Sequence, residues 1–524
     1  MLGIFAVLLG ASLATFFGRL LSVGADDLRG ALGLSVDSSS WISTSYNMGM
    51  MFIGPFSVYV GGLLGPRRVL LWCASIFTAV SFFMPFAGHL SWLIAGLVIA
   101  GLTAGTFYPL TLSFILRNLP RSYVLYGIAA YAIDIVVTTH VADSYEAWVM
   151  RKLSWCWLFW TITVATPAMI VLVRRGIPAQ PIPRPKPGQP SISWRGFLYA
   201  SLGAALIYGA LDQGQRLDWW RSGTFAAMVI TGSFLVLASV VRHFSKPHPL
   251  VNYPFLRRRN AQLLGLTVML FRFVLLASVV LVPSYLTTIQ GYRPDQVGTV
   301  LLWLAIPQFF AGIFAVYLLG KVDTRLVLAA GFSMIALGCL MDSHITAAWS
   351  GNNFTLSQLV LALGEGLAFN SMVGAIILDI LNSGSLEKPA DVLTFAGFFQ
   401  TIRLFGGEVG ATFIRHFLQS RDVYHYNLLA SGIQGGSASL LQRERTLFGA
   451  MHSHAATQNA LIGRSAGLFA IGIRQQAFTL ALADGFTLIA IVAAACLVVA
   501  AGLRALKVGY PQIIAAPVAG KTTS

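Results

Sequence analysis

The sequence predicts an all-α integral membrane protein with fourteen transmembrane helices, and three observations carry that prediction. First, 56% of its 524 residues are hydrophobic and only 10% are charged, against about 45–50% and about 25% in soluble domains. Second, apolar runs of about 20 residues recur along the chain, each enough to cross the hydrocarbon core. Third, the basic residues gather between alternate runs, as cytoplasmic loops require. Nineteen acids and thirty-five bases could not cover the roughly three soluble domains that this length would otherwise imply.

Taken in order, the runs are 2–24, 41–64, 69–88, 91–116, 123–142 and 155–174, then 195–212 and 221–242. Six more follow at 260–286, 297–319, 325–343, 354–380, 391–415 and 480–504. Val23-Gly24-Ala25 imitates a cleavage site, but no basic segment precedes the first run, which reads as a span. Residues 176–194 form a Pro-rich, semi-rigid linker, and 242–259 form a second, basic one. The chain thus divides into a six-helix bundle at 1–175, a segment 176–259 with two extra spans, and a six-helix bundle at 260–524. The stretch 416–474 is far longer than an ordinary connection and reads as a long outer loop. Its amphipathic parts, 440–451 and 461–473, suit short helices at the membrane surface.

With both termini cytoplasmic, twenty of the thirty-five Lys and Arg flank the spans on the inside, Arg67, Arg68, Arg174 and Arg175 among them. Twelve fall outside, half of them in or beside the long loop, and three lie within spans. The net charge of +16 is then mostly topology. Its natural neighbour is anionic lipid, and no nucleic acid is needed to explain it. The four cysteines lie far apart without CxxC or His-Cys spacing, which argues against zinc and a disulfide framework. His452 and His454 lack a third ligand. No GxxxxGK followed by Ser or Thr occurs, nor GxSxG or HExxH, so neither ATP-driven nor hydrolytic chemistry is indicated. The chain does not read as an enzyme, and neither cofactor nor metal is indicated.

Charges inside spans are costly and need a reason. Asp134, Arg272, Glu365 and Arg403 lie about 13–20 Å into their runs, near the midplane, while Arg19 and Glu408 sit closer to the outer leaflet. Glu365 lies between Gly364 and Gly366 and is the first candidate for carrying a proton, with Asp134 second and Glu408 third. The alternative for Glu365 is a permanent pair with an arginine that fixes packing. Arg19 is the expected partner of Asp134, since both belong to the first bundle. Arg272 and Arg403 either neutralise Glu365 and Glu408 or orient an anionic group of a substrate. Arg403 and Glu408, five apart, are not expected on one helix face. Asp143 and Glu146, three apart, form either a solvated rim with Arg151 and Lys152 or an outer gate. Phe107, Tyr108, Phe271, Phe273, Phe398 and Phe399 are candidate path-lining aromatics.

Local motifs add a family. Trp41-Ile-Ser-Thr-Ser-Tyr46, Gly54-Pro55 and Gly62-Leu-Leu-Gly-Pro-Arg-Arg68 resemble the EmrB/QacA-type branch of drug:proton antiporters. So do Arg258-Arg259-Asn260, Pro283-Ser-Tyr-Leu286, Gly291-Tyr292, Arg403-Leu-Phe-Gly-Gly407, the Arg421, Tyr424, His425, Asn427 spacing, and Gln475-Gln-Ala-Phe-Thr-Leu480. The resemblance implies a major facilitator fold in its fourteen-helix, 6+2+6 form, in a bacterial cytoplasmic (inner) membrane. It implies proton-coupled export of small amphipathic compounds (multidrug efflux), with the proton gradient as energy source and a periplasmic adaptor docking on 416–474. That stretch could equally be a cover on the transporter itself.

Several family charges are replaced. No aspartate precedes the Gly-Pro-Arg-Arg of residues 65–68, and none stands near Phe17 or Gly18, where Arg19 follows instead. The fourth run has no charge over 93–105, and Ala142-Asp-Ser-Tyr-Glu-Ala147 stands where a glycine-rich stretch is usual. Two other functions therefore stay open: an exporter or facilitator of one metabolite such as a weak organic acid, and a degenerate transporter serving as membrane sensor or assembly subunit.

Overall fold

In a computed structural model, residues 2–179, 194–245, 256–382, 389–432, 458–504 and 508–515 are described, with Gln442 and Thr446 between them. All regular structure among the described residues is helical. The first bundle runs α1 (Leu2–Val23), α2 (Ala25–Leu32), α3 (Val36–Leu64), α4 (Pro66–Phe83), α5 (Leu90–Ala104), α6 (Phe107–Asn118), α7 (Arg121–Lys152) and α8 (Trp157–Gly176). Next come α9 (Trp194–Gln213) and α10 (Gly223–Ser245). The second bundle has α11 (Arg259–Val274), a π turn at Ala277–Leu281, α12 (Val282–Thr288), α13 (Pro294–Leu319), α14 (Thr324–Asp342), α15 (Thr355–Asn382), α16 (Pro389–Ser431) and α17 (Gln458–Ala501). A short α18 (Tyr510–Ala515) ends the described chain.

Every one of the fourteen expected runs falls on a helix or a broken helix. Among the described residues, twelve segments are long and apolar enough to cross a membrane; α9 and α16 are not among them. Helix breaks have local causes. Pro109 cannot donate to the carbonyl four residues back, and the fourth segment breaks at Gly105-Thr106 between α5 and α6. Pro283 does the same after α11, where the π turn relieves it and turns Ser278 inward.

Small residues let the helices close up. A Cβ on Gly101 of α5 would stand 2.1 Å from the Tyr46 carbonyl of α3, so only glycine permits this contact. Across the molecule, α7 packs on α13 and α15, and α3 packs on α16, joining the two bundles. The extra pair α9–α10 is held through α9, which packs against α3 and α16 and so bridges the bundles.

The expected loop is helical where it is described. The stretch 416–431 continues α16 without a break, and 458–474 begins α17. The expected surface helix at 461–473 is therefore the first part of a 44-residue helix. The α16 extension is tied to the span part of α17: Asp484 accepts from Arg421 Nε at 2.5 Å and lies 2.7 Å from His425 Nε2. The 440–451 segment, apart from Gln442 and Thr446, and His452 and His454 lie outside the described residues.

Candidate functional site

A cavity of about 530 Å³ lies between the two bundles. It reaches from Tyr108, Arg272 and Arg403 to Ser22, Asp26 and Arg29, the end where α1 finishes and α2 begins. At the opposite end the bundles close on each other. Pro55 of α3 meets Gly397 of α16, where an added Cβ would stand 3.3 Å away. Leu125, Leu319, Leu378 and Tyr510 form one buried cluster there, and the Tyr510 hydroxyl donates to the Gly374 carbonyl at 2.8 Å. The cavity is thus accessible from one side only.

The charges are not paired as the sequence suggested. Arg19 binds Asp143, not Asp134, through Nε at 2.6 Å and Nη2 at 2.9 Å. The reason is length: α7 continues to Lys152, ten residues past the expected span end, so Asp143 lies inside the bundle. Asp134 instead accepts from the Ser12 hydroxyl of α1, and its other oxygen has no partner. The solvated rim is likewise overturned. Asp143 and Glu146 are 4% and 0% exposed, while Arg151 reaches across to Asp295 of the second bundle at 3.0 Å. Both Glu146 oxygens lack hydrogen-bond partners among the described residues.

Arg272 and Arg403 do not neutralise Glu365 or Glu408. No carboxylate lies within ion-pair distance of either guanidinium among the described residues. Arg272 lies along α16 where Gly407 leaves room, 2.9 Å from an added Cβ. Arg403 stacks on the Tyr108 ring with its guanidinium carbon 4.0 Å from the centroid. The Tyr108 hydroxyl is 2.8 Å from Thr15 Oγ1. Both arginines line the cavity. Glu408 pairs with Arg415 at 3.5 Å, and Arg415 also meets Asp212 of α9 at 3.5 Å. Although five apart, Arg403 and Glu408 line the same cavity, because it wraps around α16.

Glu365 is fully enclosed and held by neutral donors. Ser278 Oγ donates to Oε1 at 2.9 Å, and Gln308 Nε2 donates to Oε2 at 2.8 Å. His140 Nε2 stands 3.7 Å from Oε2. Of the expected aromatics only Tyr108 lines the cavity. Phe271 acts from behind, stacked at 5.3 Å on Phe369, which does line it. Phe107 packs with Phe77, Phe273 with Phe413, and Phe398 and Phe399 sit in a separate apolar crevice.

Sequence reasoning missed α9's part in the site. Tyr208, Asp212 and Gln213 line the cavity; Gln213 Nε2 donates to Thr44 Oγ1 at 2.6 Å, and Thr44 donates to Asp212. Polar residues closing a weak apolar run read as a span boundary, so nothing flagged them. His140 was likewise hidden, since the run seemed to end at 142. The missing family aspartate has a steric explanation at Gly18, where an added Cβ would meet the Tyr46 ring at 2.9 Å.

Comparison with known proteins gives the family of this fold. The model of the Major Facilitator Superfamily matches residues 7–411. The Multidrug export protein EmrB of Haemophilus influenzae is 24% identical over 449 residues, 81% of this chain and 82% of that protein. The Fatty acid resistance protein FarB of Neisseria gonorrhoeae is 22% identical over 488 residues, 90% of each chain. The crystal structure of the human organic anion transporter MFSD10 superimposes with a TM-score of 0.55 at 12% identity, over 94% of this chain and 99% of that one. The chain is a multi-pass membrane protein that belongs to the Major Facilitator Superfamily.

Proposed function

We propose that this chain is a proton-coupled exporter of small amphipathic, aromatic compounds in a bacterial cytoplasmic (inner) membrane. Its fourteen helices are arranged 6+2+6 with both termini inside, which makes the open end of the cavity the outer end. The observation that carries the reading is the one-sided cavity between bundles, walled by Tyr108, Tyr208 and Phe369 and carrying polar and charged groups. Aromatic faces accept many flat ligands with little demand on shape. The names of the EmrB and FarB relatives support export of such compounds. Glu365 is the leading proton carrier, with Asp134 and Glu408 behind it. The outer extensions of α16 and α17 are the surface that a periplasmic adaptor would meet.

A specific observation favours a narrower second reading, in which the exported compounds are weak organic acids. Arg272 and Arg403 reach the cavity with no carboxylate beside them, and a guanidinium left free in such a wall suits a carboxylate or sulfonate ligand.

The test is reconstitution into vesicles with an imposed proton gradient and a pH-reporting dye. A panel of aromatic cations, neutral compounds and weak acids is added to wild type, Glu365→Gln and Asp134→Asn. Compound-triggered proton release that Glu365→Gln abolishes supports the assignment. Transport that proceeds equally in both variants removes the carriers, and no flux with any compound favours a sensor or assembly role.

A further inference from the structure

We propose that His140 is the relay by which protons pass between the central cavity and Glu365. The inference rests on the proton-coupled reading above and supplies the route which that reading lacks. Glu365 does not itself line the cavity, and it is 0% exposed. A carboxylate enclosed in this way can exchange protons only through a neighbour that carries them. Its nearest neighbours are a serine hydroxyl, a glutamine amide and one imidazole. An amide does not exchange protons on a useful timescale, and Ser278 already donates to Glu365 from inside the π turn. Of the three, only His140 forms part of the cavity wall.

The imidazole has the right arrangement of atoms. Its Nε2 faces Glu365 Oε2, and its Nδ1 is buried in the cavity wall with no hydrogen-bond partner among the described residues, so it is open to a cavity water once the wall loosens. Imidazole can take a proton at one nitrogen while giving up another at the second. Loading is then balanced: cavity water delivers a proton to Nδ1, and the Nε2 proton passes to Oε2. Glu365 becomes neutral, and His140 is left neutral in its other tautomer. Loading thus moves one proton from the cavity to the carboxylate and leaves the ring in its other tautomer. Unloading is the reverse: Glu365 returns its proton to Nε2 and the Nδ1 proton leaves to cavity water, which restores the first tautomer.

The geometry also ties this transfer to motion of the halves. At 3.7 Å the pair is beyond hydrogen-bond distance, and closing by less than about 1 Å would make the bond. His140 belongs to α7 of the first bundle, whereas Glu365 belongs to α15 of the second. A shift between the bundles therefore makes or breaks the relay. Other charged groups around it are already engaged or lie elsewhere. From α1, Arg19 is held by Asp143, one turn along α7. From α13, Gln308 is neutral, and Asp295 is bound to Arg151 near the helix ends. Arg272, Arg403 and Glu408 stand in the same cavity wall. Asp342, buried on α14, does not line the cavity.

The experiment uses the full chain in proteoliposomes with an internal pH dye. The probes are ethidium and anilinonaphthalenesulfonate, neither of which carries a proton across the bilayer by itself. His140→Asn keeps size and polarity without proton transfer, and His140→Gly opens space for free imidazole. Both variants are expected to slow probe-triggered proton movement about 100-fold. Millimolar imidazole should restore His140→Gly, and not His140→Asn. Wild-type rates in His140→Asn overturn the relay while leaving proton coupling in place. Loss in His140→Gly without imidazole rescue means that the ring only fills space, which also overturns it. Wild-type vesicles that move no proton with either probe overturn the proton-coupled reading and the relay together.

Discussion

In the first bundle Arg19 and Asp143 meet through two short hydrogen bonds, whereas in the second Arg272 and Arg403 reach the cavity with no carboxylate beside them. The carboxylates differ as well. Glu365 of the second bundle is held by neutral donors in a closed site, while Asp143 is fully committed to its arginine. A bidentate Arg–carboxylate pair is strong and stays put. Guanidiniums without a counter-ion are tolerable near a midplane only where water or an anionic ligand meets them. The Arg19–Asp143 pair is thus fixed structure, whereas Arg272 and Arg403 are placed to meet an anionic ligand, and Asp134 and Glu146 of the first bundle have no ion partner among the described residues.

The largest expected effect lies on the shape-holding side. Asp143→Asn leaves Arg19 part-buried without its counter-charge and should lower stability by about 3 kcal/mol. It would be read as a clear fall in Tm of the purified protein, partly recovered when Arg19→Gln is added. An unchanged Tm would erase the contrast between the bundles. On the other side, Arg403→Gln should leave Tm within the scatter of wild type. It should weaken binding of an aromatic sulfonate about tenfold or more, the loss of one charge-assisted contact. Binding of an aromatic cation should hold or improve. Fluorescence titration of both probes checks this, and equal loss for both would mean that Arg403 shapes the wall rather than reads charge.

Much of the helical architecture was legible before any coordinates, because apolar length is a strong, additive signal. Of the charges singled out within runs, Arg272 and Arg403 line the central cavity and Glu365 stands behind its wall, 3.7 Å from His140. The pairing of these charges was not legible. A pairing depends on helix rotation and on where a helix ends, and both are set by packing rather than by hydropathy. Arg19 was assigned to Asp134 because both belong to the first bundle, yet α7 runs on to Lys152 and carries Asp143 into reach. His140 was hidden for the same reason. The part played by α9 escaped because Asp212 and Gln213 look like the polar end of a span until α3 and α16 close around them.

Another ion pair, at the N-terminal end of α14, sharpens the contrast from its weak end. Asp323 caps α14 by accepting the Arg325 backbone N–H at 2.9 Å, and Arg325 Nη2 bonds its carboxylate at 2.9 Å. Arg325 also donates to the Leu503 carbonyl at 3.2 Å, so the capped turn is tied to the end of α17. The chemistry is that of Arg19 and Asp143, but both side chains are more than a third exposed, and water screens the attraction. The hydrogen bond from Arg325 holds the Asp323 carboxyl below the usual aspartate value. A depressed carboxyl contributes stability above the ordinary value of about 3.9 and loses it as pH falls through the folded one. Asp323→Ala should therefore cost about 1 kcal/mol or less at neutral pH, most of it the lost cap. The Tm difference from wild type should shrink as the solution is acidified below about pH 4. A difference as large as that for Asp143→Asn would mean that burial is not what separates structural from idle ion pairs in this protein.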